Sequence, residues 1–242
     1  ASDGDGSALT RADPVFYNGL HLEGKMVAIF EQMDGRGMPV HAVTRGLEKE
    51  ALLASTQYST SHDPHIWFDP ALWAHAAKKV GTVLSDRAPE YAERFGNAAA
   101  KYVVELDSLI VWAQREMASI PQENRILVTS HDAFGYFGRA FDVDVHGLQG
   151  ISTVLEAGTA DVRDVAAFIA ERKIPALFLE SSISPRGMEA VREAVRARGF
   201  EVQIGGTLYG DALGSLGSDA DTYIGMLRSN ILTIVAGLAP AS

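Results

Sequence analysis

Apolar residues recur along this chain with two periods, and from near its middle the two alternate regularly. Before residue 121 the helical period dominates. Pro14-Val-Phe-Tyr17 is a short apolar run closed by Asn18-Gly19, a strand followed by a turn. Residues 22–33 carry Leu22, Met26, Ile29, Phe30 and Met33 at helical spacing, which predicts a helix with those five on one face. Pro39-Val-His-Ala-Val43 reads as the next strand, and the polar stretch 45–62 as loop. Asp69-Pro70 then opens a helix, with Asp as N-cap and Pro at the first helical position. It is predicted to run to about Arg87 with Leu72, Ala76, Val80, Val83 and Leu84 inward. From Glu90 to about Ser119 there is no proline and a single glycine, while Phe95, Tyr102, Leu106, Leu109, Ile110 and Ala113 repeat at helical intervals. Thirty helical residues would span about 45 Å, enough for a strut between two lobes.

After Pro121 the pattern alternates. Strands are predicted at 126–129, 143–145, 176–179 and 201–204. Helices are predicted at 133–141, 159–172, 185–198 (ended by Gly199 as a C-cap) and 219–238. Strand–helix alternation of this kind predicts a parallel sheet covered on both faces. In such sheets ligands bind beyond the carboxyl ends of the strands. Three metal-capable side chains leave that edge: His131 two residues after Thr129, Glu180 directly after Leu179, and Asp211 beyond Ile204 and Gly205-Gly206. A fourth candidate, His65, lies in Ser-His-Asp-Pro-His-Ile-Trp-Phe-Asp-Pro at 61–70. His and carboxylate groups gathered from separate segments are the usual material of a protein metal site.

Each of these also has a plainer explanation: His131 as a hydrogen-bonded core residue, Asp211 as a turn residue, Glu180 as a cap, His65 as a loop brace. His62 competes with His65 but precedes the Asp-Pro turn and is expected to face solvent. His21, His41, His75 and His146 read as structural or exposed.

Composition narrows the options. The 242 residues suffice for one large domain or two lobes, and 47% hydrophobic residues with 21% charged suit a soluble globular chain. A net charge of −10 argues against nucleic acid and anionic membrane and agrees with a cationic ligand. The absence of cysteine removes thiolate sites, disulfides and cysteine nucleophiles together. No stretch reaches the roughly 18 apolar residues of a membrane span. No signal peptide opens the chain, which reads as cytoplasmic or already processed. The glycines lack the spacing of a dinucleotide or P-loop fingerprint, and neither G-x-S-x-G nor H-E-x-x-H occurs.

Six blocks then carry a resemblance. They are residues 13–23 (DPVFYNGLHLE), 63–69 (DPHIWFD), 128–137 (VTSHDAFGYF), 147–150 (GLQG), 178–182 (FLESS) and 203–206 (QIGG). In this order and spacing, from about residue 9 to 238, the chain resembles the TroA-like zinc/manganese solute-binding proteins of bacterial ABC importers, the cluster A-I periplasmic metal-binding family. The resemblance implies an α/β fold of two lobes with parallel sheets covered by helices, joined by one long backbone helix, with the metal site in the interlobe cleft. It divides the chain into an N-terminal lobe (1–88), a connecting helix (89–119) and a C-terminal lobe (120–242). The family's metal ligands carry over to His65, His131 and Asp211. Glu180 matches an acidic position beside the metal, where it would orient a histidine ligand by accepting its other N–H.

The implied activity is capture of Zn²⁺ or Mn²⁺ and delivery to a membrane permease, with no catalysis. Partners are the metal and the cognate ABC permease, with no nucleic acid, and the chain is expected to act as a monomer in the periplasm or on the outer face of the cytoplasmic membrane. A stiff connecting helix would limit hinge opening, so that release comes from small lobe shifts and loop rearrangement. The family's fourth ligand, a His in an earlier Pro-His motif, has no counterpart, because the chain opens at Ala1-Ser2-Asp3 just downstream of it. A longer protein shortened at its start is the preferred explanation over a short variant, since residues 13–43 supply only two clear strands. Water or a bidentate Asp211 would then complete the site. The His-rich loop of dedicated zinc importers is absent from 45–62, which leaves Zn²⁺ against Mn²⁺ open. The rival readings are a zinc-dependent hydrolase with Glu180 as general base, and a host-adhesion module.

Overall fold

The computed structural model describes residues 8–9, 11–55, 61–153 and 156–239, and the chain divides into two compact units at Asp107/Ser108. In the first unit β1 (Val15–Tyr17) pairs in parallel with β2 (Val40–Ala42), Phe16 opposite His41. Between them runs α1 (Val27–Gly35), entered through a 3-10 turn at Gly24–Met26. Val15, Phe30, Met33 and Val40 are its buried core, and Tyr17 packs on Phe30 with ring centroids 4.6 Å apart.

The helix therefore starts five residues later than the apolar spacing predicts. Leu22 and Ile29, expected on the buried face, are exposed. The reason lies upstream: Gly19, Leu20 and His21 all take positive φ, and the chain must recover from that left-handed turn before a helix can begin. The loop at 45–62 is interrupted by a 3-10 turn at Lys49–Ala51 and by a bridge between Ala54 and His62; residues 56–60 lie outside the described residues.

α2 (Pro70–Arg87) begins where Asp69-Pro70 predicts. The Asp69 carboxylate accepts from the Ala71 N–H at 2.9 Å, and Pro70 occupies a position whose N–H would have had no helical partner. Leu72, Ala76 and Val83 are buried as expected; Val80 and Leu84 are half-buried, and Ala74 and Gly81 complete the inner face.

Pro89 then forces a 3-10 turn (Pro89–Tyr91) before α3 (Ala92–Met117). With 26 residues α3 is about 39 Å long, shorter than the predicted 45 Å because that turn replaces its first two residues and the helix ends at Met117, two residues early. Leu106, Leu109, Ala113 and Met117 are buried at i, i+3, i+7 and i+11, the stripe a helix must hide. The division between the units falls inside this helix.

The second unit alternates strands and helices. β3 (Ile126–His131), buried along its whole length, pairs in parallel with β4 (Asp144–Gln149), and β5 (Ala176–Glu180) with β6 (Gln203–Leu208). The helices are α4 (Gly135–Phe141), α5 (Thr159–Arg172), α6 (Arg186–Arg196) and α7 (Tyr223–Leu238). Leu177, Val128, Ile169, Met188, Val191 and Val195 form the core between strands and helices.

Four differences from the sequence expectation bear on the site. β3 continues through His131, so that histidine is the last strand residue and not a loop residue two positions on. Glu180 likewise ends β5. β6 starts two residues later than predicted and runs four further, to Leu208, which brings Asp211 to three residues past a strand end. The strands form two separate two-stranded ladders, not one continuous sheet. β3 and β5 still lie side by side, but the His131 N–H is given to a Glu180 side-chain oxygen and not to a strand carbonyl.

Candidate metal centre

The site grows from the ends of β3 and β5. The His131 backbone is held on both sides: its N–H donates to Glu180 Oε1 at 2.9 Å, and its carbonyl accepts from the Thr129 hydroxyl at 2.9 Å and from the Ala133 N–H at 3.0 Å. β4 can run this close to the His131–Asp132 peptide only because residue 147 is glycine; a Cβ there would sit 2.5 Å from the Asp132 nitrogen. The second Glu180 oxygen, Oε2, lies 2.8 Å from His131 Nδ1. One carboxylate therefore grips both the main chain and the ring of the same histidine. It fixes the proton on Nδ1 and leaves Nε2 as the nitrogen facing Asp211.

Asp211 is the group beyond Nε2, with Oδ2 at 3.5 Å. Gly210, the residue before it, crosses the Glu180–His131 pair so closely that a Cβ would come within 2.3 Å of Glu180 Oε2 and 3.4 Å of the His131 ring. The segment upstream is pinned as well: the side-chain amide of Asn230, fully buried on α7, accepts from the Tyr209 N–H at 2.8 Å and donates to the Tyr209 carbonyl at 2.9 Å. His131 and Glu180 are buried, whereas the Asp211 side chain still meets solvent.

The electrostatics follow from this arrangement. Burial alone would pull the His131 pKa down. The hydrogen bonds to Asp211 and Glu180, with the charges of both carboxylates, outweigh burial and raise it from 6.5 to about 9. Without a metal, the position beyond Nε2 is a place that favours positive charge.

The first unit presents a matching arrangement around His65. This histidine is 2% exposed and precedes a 3-10 turn (Ile66–Phe68) in which Ile66 and Phe68 are fully buried. Asp63 Oδ1 accepts the His65 backbone N–H at 2.9 Å and lies 2.7 Å from His65 Nδ1. Again one carboxylate holds the main chain and the ring Nδ1 of a single histidine together. The Asn18 side chain donates to the Pro64 carbonyl at 3.0 Å, tying this segment to the turn after β1.

Within the second unit the structure thus brings together His131, Glu180 and Asp211, and in the first it places His65 on Asp63. His62, expected to face solvent, is half-buried in its bridge with Ala54. Of the others, His21 is exposed, His41 packs at a tilt against Phe16, His75 meets the Arg45 carbonyl, and His146 lies 3.0 Å from Asp144. Two site residues escape the sequence reading. Asp63 announces itself only as an Asp two residues before a His, the spacing of an Asx turn. Asn230 is a polar residue within an apolar helix.

The zinc-uptake complex component A (ZnuA) periplasmic family model matches residues 1–237. The chain belongs to the ZnuA family. Its relatives include the zinc-binding protein TroA of Treponema pallidum, 46% identical over 239 residues, which cover 99% of this chain and 77% of TroA. The manganese-binding lipoprotein MntA of Bacillus subtilis is 41% identical over 238 residues, 98% of this chain and 77% of MntA. Among solved structures, the periplasmic zinc-binding TroA of Treponema pallidum superposes with a TM-score of 0.95 at 45% identity, covering 99% of this chain and 86% of that one. The ZnuA family consists of metal-uptake components and not of enzymes, and the two-lobe α/β fold of TroA is the fold expected from the six blocks.

Proposed function

We propose that this chain is the extracytoplasmic substrate-binding component of an ABC importer, capturing one Zn²⁺ or Mn²⁺ ion and delivering it to the membrane permease. In this reading His65, His131 and Asp211 are the metal ligands, and Asp63 and Glu180 hold the two imidazoles by their Nδ1 atoms. The observation that carries it is the His131–Glu180–Asp211 cluster: a buried imidazole with one nitrogen fixed by a carboxylate and the other turned toward a second carboxylate. The same grip recurs at Asp63–His65, and two histidine nitrogens with a carboxylate suit Zn²⁺ in tetrahedral form and Mn²⁺ at higher coordination. Relatives named for zinc and for manganese support both ions as candidates.

The hydrolase alternative loses support at Glu180. A general base needs a free oxygen facing water, whereas Glu180 is 3% exposed and spends Oε1 on the His131 N–H and Oε2 on the His131 ring. Dialysis of the chelator-stripped protein against equal trace Zn²⁺ and Mn²⁺, followed by elemental analysis, should find one transition-metal ion per chain. The loaded protein should leave nitrophenyl esters and phosphate esters intact. Multiple turnovers of either substrate, abolished by Glu180→Gln, would replace the carrier with an enzyme.

A further inference from the structure

We infer that Asn230 is a positioning residue for the metal site: its buried amide aims the segment Tyr209-Gly210-Asp211 so that Asp211 meets His131 Nε2. The inference rests on the reading of Asp211 as a metal ligand. The inner face of α7 is otherwise apolar, with Met226, Leu227, Ile231, Ile234 and Leu238 all buried. A fully buried amide on that face carries a desolvation cost that packing alone would not call for. Its bonds show where it is spent. Oδ1 accepts the Tyr209 N–H at 2.8 Å, and Nδ2 donates to the Tyr209 carbonyl at 2.9 Å and toward Met226 Sδ at 3.4 Å.

Tyr209 is the first residue past β6. The last ladder contacts are Glu180 opposite Leu208 and the Ser181 N–H to the Leu208 carbonyl at 2.9 Å. Beyond Leu208 the strand has no partner strand among the described residues, and the Asn230 amide substitutes for one. By gripping both the N–H and the carbonyl of one residue, it fixes the peptide planes on both sides of Tyr209. The direction in which Gly210 leaves follows from those planes. Gly210 passes over Glu180 Oε2 with no space for a Cβ, and Asp211 Oδ2 arrives 3.5 Å from His131 Nε2. Asp211 lies in neither a strand nor a helix, since residues 211–222 are bends, turns and irregular backbone. Loosening Tyr209 would therefore be felt chiefly at the metal.

The test uses Asn230→Leu, similar in size and apolar, beside Asp211→Ala and the unaltered protein. Each is titrated with Co²⁺, its d–d absorption recorded at saturation, and then competed with Zn²⁺. Thermal melting without metal establishes that each variant is folded. Asn230→Leu is expected to lower Co²⁺ affinity at least tenfold and to shift the d–d bands in the direction of Asp211→Ala. A folded Asn230→Leu protein with unchanged affinity and bands, and only a lower melting temperature, would show a purely structural asparagine and overturn the inference. Should Asp211→Ala itself leave bands and affinity unchanged, the ligand reading of Asp211 fails instead, and the two failures stay distinguishable. If Asn230→Leu does not fold, Asn230→Asp takes its place: it keeps the bond from the Tyr209 N–H and sets an oxygen against the Tyr209 carbonyl, and the same criteria apply.

Discussion

At the residue scale the site is a problem of protons. The His131 pKa of about 9, against 6.5 for a free side chain, means that charged His131 stabilises the metal-free fold. The sign is that of a raised pKa: this contribution is complete below pH 6.5 and is lost as pH rises through about 9. A cation binding at Nε2 must expel that proton, so metal affinity should climb with pH until about 9 and level off above. Calorimetric titration with Zn²⁺ at pH 7.5, in two buffers of different ionisation enthalpy, should show release of at least about one proton per ion; binding with no proton release would contradict the arrangement at His131. Glu180→Gln should weaken binding by about 10–100-fold. The amide can donate to Nδ1, which moves the imidazole proton to Nε2 and removes the lone pair the metal needs. An affinity unchanged in this variant would leave Glu180 with a packing role only. His131, Glu180 and Asp211 are legible in the sequence because each follows an apolar run and so falls near a strand end. Asp63 and Asn230 are not, because their roles depend on which backbone groups happen to be left without partners nearby.

At the scale of elements, local chemistry decides what can be read. Both ends of α2 are legible: Asp69-Pro70 satisfies the first turn, and Pro89 forbids continuation. Asp69→Ala should cost about 1 kcal/mol and lower the melting temperature by roughly 2–4 °C for a chain of this size; an unshifted transition would mean that Pro70 alone sets the helix start. The start of α7 is misread in the sequence for a related reason. The helix is expected from Asp219, yet Asp221 accepts the Gly217 N–H at 2.9 Å and closes a turn, and Thr222 caps the helix, which starts four residues later than expected. β6 is read too short because Gly205-Gly206 ends its apolar run, although the ladder resumes after a register shift that skips Gly205 and continues through Leu208. Which strands pair is invisible locally, since ladder partners here are 18 to 28 residues apart in sequence.

At the scale of the whole molecule, composition bounds little beyond size and solubility, and the helical repeat of α3 runs unbroken through the point where the two units divide. The family blocks supply what periodicity does not, a two-lobe fold. A net charge of −10 suits a protein that gathers cations, because an acidic surface raises their local concentration. The central claim is that this chain holds one transition-metal ion through His65, His131 and Asp211. Its most direct test is a competition titration with Zn²⁺ and with Mn²⁺ on the chelator-stripped protein, repeated on His65→Ala, His131→Ala and Asp211→Ala variants confirmed as folded. The account predicts one ion per unaltered chain and an affinity lower by at least about a hundredfold in each histidine variant. Full affinity retained in either His65→Ala or His131→Ala would contradict it.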